Sequence, residues 1–324
     1  MTSTMKWLTG VLIAQLLLAV GVYTQQAHRE TTPPSGPLLT FTPDSVTEFD
    51  ITGSNNQSVT IVRRPDGGWI LPGLNNLPAD KQLLDEALSH LAGQHEDWPV
   101  TQTASAHERF RVADNDFERR LEVKSGGDSA VLLLGDSPAY RKVYGRLPGQ
   151  DPVYSLALNS VDFPLHANRW LDKSLLAVND VSSVKRAEYQ LQQQGDQWQL
   201  QAEGNILAAA DAPRQQLLKV LSELRVTGVA DLPPPAEATV TEISVQSGEQ
   251  LYRYRFAHDD SHYWVSRADL APTFTMGQYQ FAQIVDTGVA DLQAVPAAEV
   301  PAATAPAPDT TSPGSVAPTA DVHS

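Results

Sequence analysis

The chain has 324 residues, of which 41% are apolar, a formal net charge of −15 and no cysteine. That length suits about two domains. A surface this negative repels nucleic-acid phosphates, and the lack of cysteine excludes disulfides, thiolate metal centres, a cysteine nucleophile and lipidation at an N-terminal cysteine.

The first element is the apolar run Trp7 to Tyr23, which carries no charge and only Thr9 and Gln15 as polar side chains. As a helix it rises about 25 Å, at the short end of what spans a bilayer. Trp7 and Tyr23 bracket it where aromatic rings favour the two interfaces, and Leu12 and Leu17 lie within its apolar body. Lys6 precedes the run, which points to an inside N-terminus. The run therefore predicts a single-pass anchor within residues 1–30 in the inner (cytoplasmic) membrane, with the remainder periplasmic. A cleaved signal peptide is the rival reading; Ala19-Val20-Gly21 is a site for it, whereas the exit Val22-Tyr23-Thr24-Gln25 is a poor one. Gly10, Ala14 and Gly21 give the helix small faces for contact with other helices. Residues 31–37, rich in Pro and Thr, predict a short extended tether.

The rest reads as one unit written twice. The first copy opens with a strand over Val46 to Ile51. A hairpin follows: Val59 to Val62, a turn at Pro65-Asp66-Gly67-Gly68, then Trp69 to Leu71. Pro78-Ala79-Asp80 starts a helix whose apolar face is Leu83, Leu84, Ala87, Leu88 and Leu91. The second copy repeats the order with a strand over Val184 to Tyr189, a hairpin around Gly195-Asp196 leading to Trp198, and a helix near Pro213 with Leu217, Leu218, Leu221 and Leu224. Downstream, Leu121 to Gly126 parallels Ile243 to Gly248, Val131 to Leu134 parallels Leu251 to Phe256, and Val143 to Arg146 parallels Tyr263 to Arg267. Val153 to Leu158 and Phe281 to Val285 close the two copies. The expected fold is α+β: a transmembrane helix, then two duplicated antiparallel sheet-plus-helix units over 38–176 and 177–293, bridged by Asn168 to Lys173. The Pro/Ala/Thr-rich stretch 294–324 is too poor in large apolar side chains to offset its ordering entropy, which predicts a disordered tail.

Candidate chemistry is sparse. Gly135-Asp136-Ser137 resembles the nucleophile block of SGNH hydrolases, with Ser137 as the candidate nucleophile. That family places its serine between a strand and a helix, whereas here Pro138 and a strand-like run follow; Gly-Asp-Ser at a strand end is more often a turn. His258-Asp259-Asp260-Ser261-His262 is the densest polar cluster, with His258 and His262 as weak metal-ligand candidates. Its place between two strands suits a tight exposed turn better. His90, His95 and His107 form no ligand pattern. Trp69 and Trp198, repeated after a turn, read as core anchors. No phosphate loop, dinucleotide fingerprint or zinc-protease motif occurs, so no catalytic residue and no cofactor is expected.

The ordered segments "LLTFTPDSVTEFDI", "GGWIL", "LPADKQLLDEALSHL", "FRVADNDFERRLEV", "LLLGDSPAYRKVYGRL", "PVYSLAL" and "RWLDKSLLAV" resemble a domain-of-unknown-function family of bacterial envelope proteins associated with gliding-motility-type (Gld) ABC transporters. The resemblance covers nearly all of 38–293. It implies a membrane-anchored, non-catalytic accessory component whose partners are an ABC permease and ATPase. With one span and no Walker motif, this chain matches neither of those subunits itself. An envelope glycan- or lipid-binding module is the alternative, and a hydrolase using Ser137 a further one.

Overall fold

The computed structural model describes residues 36–294, together with Gln15. The anchor residues Trp7, Leu12, Leu17 and Tyr23, most of the tether and the tail from 295 onward lie outside the described residues. Among the described residues, no helix is long and apolar enough to cross a membrane.

The architecture mixes α and β, mostly antiparallel sheet with few helices. The first part contains β1 (Val46–Gly53), β2 (Ser58–Arg63), β3 (Trp69–Leu71), β4 (Leu77–Pro78), α1 (Lys81–Ala92), β5 (Val112–Ala113), β6 (Asp116–Phe117), β7 (Arg119–Ser125), β8 (Asp128–Leu134), β9 (Val143–Arg146) and β10 (Tyr154–Leu156). The second contains β11 (Val181–Lys185), β12 (Tyr189–Gln194), β13 (Gln197–Ala202), β14 (Asn205–Ala208), α2 (Asp211–Ser222), β15 (Val226–Val229), β16 (Thr239–Ser247), β17 (Gln250–His258), β18 (Tyr263–Arg267), β19 (Phe274–Met276), α3 (Gln278–Val285) and α4 (Val289–Leu292).

An eight-stranded sheet runs β4-β3-β2-β1-β7-β8-β9-β10, and a nine-stranded sheet runs β14-β13-β12-β11-β16-β17-β18-β19-β15. Taken strand for strand, the two orders agree, with β15 as an extra edge. Even that edge has a counterpart, because Thr101 bridges Val153 beside β10. The centres match in detail. Pairing of β1 with β7 shifts register between Val46 and Glu48, and pairing of β11 with β16 shifts between Val181 and Ser183. The skipped residues each donate a hydroxyl hydrogen bond to the facing strand, Thr47 to Lys124 O at 3.2 Å and Ser182 to Gln246 O at 3.3 Å. Such bulges sharpen local twist.

Alternation decides which face is buried. Phe49, Ile51, Ile61, Leu121 and Val123 point into the core from the first sheet; Val184, Leu191, Ile243, Val245 and Phe256 do so from the second. Helix α1 adds Leu84, Ala87, Leu88 and Leu91, and α2 adds Leu217, Val220 and Leu221, all to one continuous apolar cluster. Asp80 caps α1 by accepting from Leu83 N at 3.1 Å.

The segment after β10 joins the two sheets. Trp170 is fully buried, its ring edge-on to Phe49 at 6.2 Å and its Nε1 donating to Pro164 O at 2.9 Å. Asp80 N donates to Trp170 O at 2.7 Å and Leu171 bridges Ala79, so the linker lies along the β4 end of the first sheet. On its other side, Val226 N donates to Lys173 O at 2.9 Å, and Asn168 Oδ1 accepts from Val229 N at 2.9 Å. Lys173 Nζ donates to Asn168 O and Thr227 O. One short stretch thus grips β15 of the second sheet as well.

Two sequence-based boundaries need correction. Phe281 to Val285 forms helix α3, not a closing strand; Phe281 and Ile284 are its buried residues, three apart on one helical face. The strand matching β10 is β19. The run Val184 to Tyr189 is also split, because β11 ends at Lys185 and Tyr189 opens β12.

On the open face of the first sheet, Lys124 Nζ lies 2.5 Å from Glu48 Oε1 and 3.2 Å from Asp50 Oδ2. Arg120 reaches Glu122 at 2.6 Å, and Ser129 Oγ donates to Glu122 at 2.8 Å. Partial burial works to raise the Glu122 pKa, but the bonds from Ser129 and Arg120 outweigh it and leave the carboxyl below its ordinary value. A carboxyl depressed by folding contributes stability above its unfolded pKa and loses it as pH falls through the folded one. Glu122→Gln should therefore flatten the loss of stability below about pH 4.3, as read from urea midpoints against pH. Trp170→Ala should lower the unfolding free energy by about 3–5 kcal/mol, measured by urea denaturation.

Candidate binding groove on the second sheet

Ser137 sits in the turn between β8 and β9. Its hydroxyl is exposed and lies 3.0 Å from Ala139 O and 2.5 Å from Lys142 O, both carbonyl acceptors. A hydroxyl bonded to carbonyls closes a turn, and among the described residues its hydrogen-bond partners are these two carbonyls rather than a base. The neighbouring Gly135 has a packing reason to be glycine. A Cβ there would stand 2.0 Å from Phe110 O and 2.6 Å from Arg111 O, where residues 104–118 pass over the sheet. Asp136 belongs to a charge cluster around Arg111, whose guanidinium also meets Glu118 at 3.1 Å and Asp116 at 3.6 Å.

His258 and His262 flank the tight turn between β17 and β18. Asp259 Oδ1 accepts from Ser261 N at 2.8 Å and His262 N at 2.7 Å. The Ser261 backbone bond is the main reason the Asp259 carboxyl lies below its ordinary pKa, with the His262 backbone and ring adding to it. The rings diverge. His258 packs edge-on to Phe281 at 5.3 Å, on the helix side, whereas His262 lies 5.5 Å from Trp264, whose place in the strand alternation is the opposite side. Among the described residues, no group of three or more His, Asp or Glu is placed to hold a metal.

Trp69 is 3% exposed, with the Arg63 guanidinium 5.2 Å from its ring centre. Trp198 is half-buried under Arg214 at 5.5 Å. Each of these tryptophans carries an arginine on its ring and lies against the core, as cation–π stacking favours.

A partly enclosed hollow lies elsewhere, and no sequence motif marks it. To pass from β15 at the sheet edge to β16 at its centre, residues 230–238 must cross β19, β18 and β17. They cross the open face, starting where Ala230 N donates to Thr273 O at 2.9 Å. Pro233-Pro234-Pro235 forms the middle of this strap. Three prolines favour an extended polyproline II path and have no N–H to pair with what lies beneath. A groove of about 260 Å³ remains between the strap and Val240, Arg255, Ala257, Trp264, Ser266 and Thr273. It continues into a hollow of about 420 Å³ flanked by Glu242, Arg253 and Arg255. The proline run was the only visible signal in the sequence; the crossing depends on strand order, which local patterns do not encode.

A family model, Domain of unknown function (DUF4340), matches residues 69–242 of the 324. The chain belongs to the DUF4340 family. No curated protein and no solved structure matches it. The DUF4340 match starts at Trp69 in β3 and ends at Glu242 in β16, so it spans the linker and parts of both sheets. Arg255 and Trp264 of the groove fall beyond it.

Gly135→Ala should cost about 1–3 kcal/mol or more through the clash with the crossing segment. Ser137→Ala should cost about 1 kcal/mol. Parallel urea denaturation of the two variants checks the order; a larger loss for Ser137→Ala would assign that serine a role beyond its turn.

Proposed function

We propose that this chain is a non-catalytic, membrane-anchored accessory component of an ABC-transporter-type envelope complex, with residues 36–294 on the periplasmic side. The apolar run Trp7 to Tyr23 supports the anchor. The resemblance of residues 38–293 to envelope proteins associated with Gld-type transporters supports the partners, an ABC permease and ATPase. We read the two sheets as copies of one unit. The shared strand order, the bulges at Thr47 and Ser182 and their matching hydroxyl bonds support that reading.

The observation that carries the accessory role is the joined pair of sheets, each closed on one face by the core and only partly covered on the other by a crossing segment. Open antiparallel faces suit contact with partners. The residues that suggested chemistry are engaged in turns, and Ser137 gives the hydrolase reading no support. A second reading, a binding module for an envelope glycan or lipid, is favoured by the groove under the proline strap.

Affinity purification of the full chain from native membranes should recover permease and ATPase subunits together. Consistent absence of both would sink the accessory role. Mass spectrometry of ligand co-purifying with the chain addresses the second reading independently.

A further inference from the structure

The two sheets treat the same spot differently. In both, the connection leading to the second central strand, β7 or β16, crosses the open face. In the first sheet this crossing is filled. Val112 is fully buried, and the Phe110 ring lies 4.5 Å from that of Tyr144. Beneath it, Arg146 is 2% exposed. Its guanidinium donates to Val112 O at 2.6 Å and Gln150 O at 2.9 Å, and pairs with the Asp114 carboxylate at 2.7 Å. The crossing segment itself thus supplies a carboxylate to an arginine under it.

Register identifies the matching spot in the second sheet. The hairpins β7–β8 and β16–β17 start from the pairs Ser125↔Asp128 and Ser247↔Gln250. Counting along from each, the pair Leu133↔Arg146 corresponds to Arg255↔Ser266. An arginine again lies under the crossing segment on the same face, moved to the neighbouring strand. Here Pro233-Pro234-Pro235 lie over it, and the carboxylates that flank the prolines in the strap, Asp231 and Glu237, are exposed and make no ion pair with Arg255 among the described residues. Arg255 is exposed in the groove and has no ion pair among the described residues, not even with Glu242, its partner in register. Trp264, Ala257 and the prolines form the apolar wall beside it.

The geometry points to the groove under the strap as a binding site for a small carboxylate ligand. The carboxylate pairs with the Arg255 guanidinium, as Asp114 does with Arg146, and an apolar or sugar-ring body packs against Trp264 and the prolines. A guanidinium matches a carboxylate in two parallel hydrogen bonds. The volume of about 260 Å³ directly under the strap suits a single ring with a short substituent. This assignment rests on the binding-module reading and is independent of the accessory role.

The test is calorimetric titration of the full chain in detergent with sodium benzoate and sodium glucuronate, whose bodies separate an apolar source from a sugar source. Benzamide, glucose and inorganic phosphate serve as comparisons. At least one carboxylate should bind with a Kd no weaker than about 10 mM, and its neutral counterpart about tenfold or more weakly. Arg255→Gln should weaken the carboxylate by about tenfold or more, and Arg255→Lys by less. Glu242→Gln, which removes a competing carboxylate, should leave binding equal or tighter. Thermal melts of each variant show that it is folded. Absence of binding by both carboxylates, equal binding in Arg255→Gln, or tighter binding of phosphate overturns the assignment. A neutral glycan or lipid recovered from the chain and displaced by Trp264→Ala would also overturn it, while leaving the binding-module reading in place.

Discussion

The burial of Trp170 is the constraint on which the arrangement depends. Its indole fills the first core against Phe49, and its carbonyl binds the residue that caps α1. Two residues before it, Asn168 holds the backbone of Val229; three after it, Lys173 holds β15. The linker is therefore a shared structural element, with one edge in each sheet. Burial lowers the Lys173 pKa, aided by Arg169 and Arg225, and its Nζ donates to carbonyls on both sides of the junction. A polar group kept in that setting needs those acceptors. The junction then fixes how β15 enters its sheet, and so where the following strap must cross.

That crossing is the main difference between two otherwise matching sheets. The first crossing is long enough to fold back as the β5–β6 hairpin and pack on β8 and β9. The second is shorter and stiffened by prolines, so it bridges the sheet without filling it. The same backbone route yields a packed lid in one place and a vaulted groove in the other. Gly135 marks the packed case, since any side chain there meets the lid's carbonyls; its counterpart by register is Ala257, which lines the groove.

Much of the fold was legible because its signals are local. The Asp66-Gly67 and Gly195-Asp196 turns fix hairpin positions, and Asp80 marks the start of α1 within a residue. The alternation in Leu121 to Lys124 and Ile243 to Gln246 identifies buried faces. Phe281 to Val285 misled because a five-residue stretch with one polar residue, Gln283, is too short to fix either period, and its packing against Phe256 selects the helix. The groove was not legible. Arg255 looks like any solvated strand arginine until its neighbours in β16 and β18 and the overlying prolines are known. The Gly-Asp-Ser block suggested chemistry because a turn and a nucleophile motif share the same residue types.

The central pairings also set an order on folding. Glu48 meets Lys124 across 76 positions of chain, and Ser182 meets Gln246 across 64. Each sheet can zip its hairpins early, but its two halves must wait for a long loop to close before the middle forms. During synthesis, β1 therefore leaves the ribosome with one of its edges unpaired until β7 follows. The bulges at Thr47 and Ser182 lie on these waiting edges. Because each bulge is a shift in the pairing itself, the twist it adds reaches the centre of a sheet only when the two halves join.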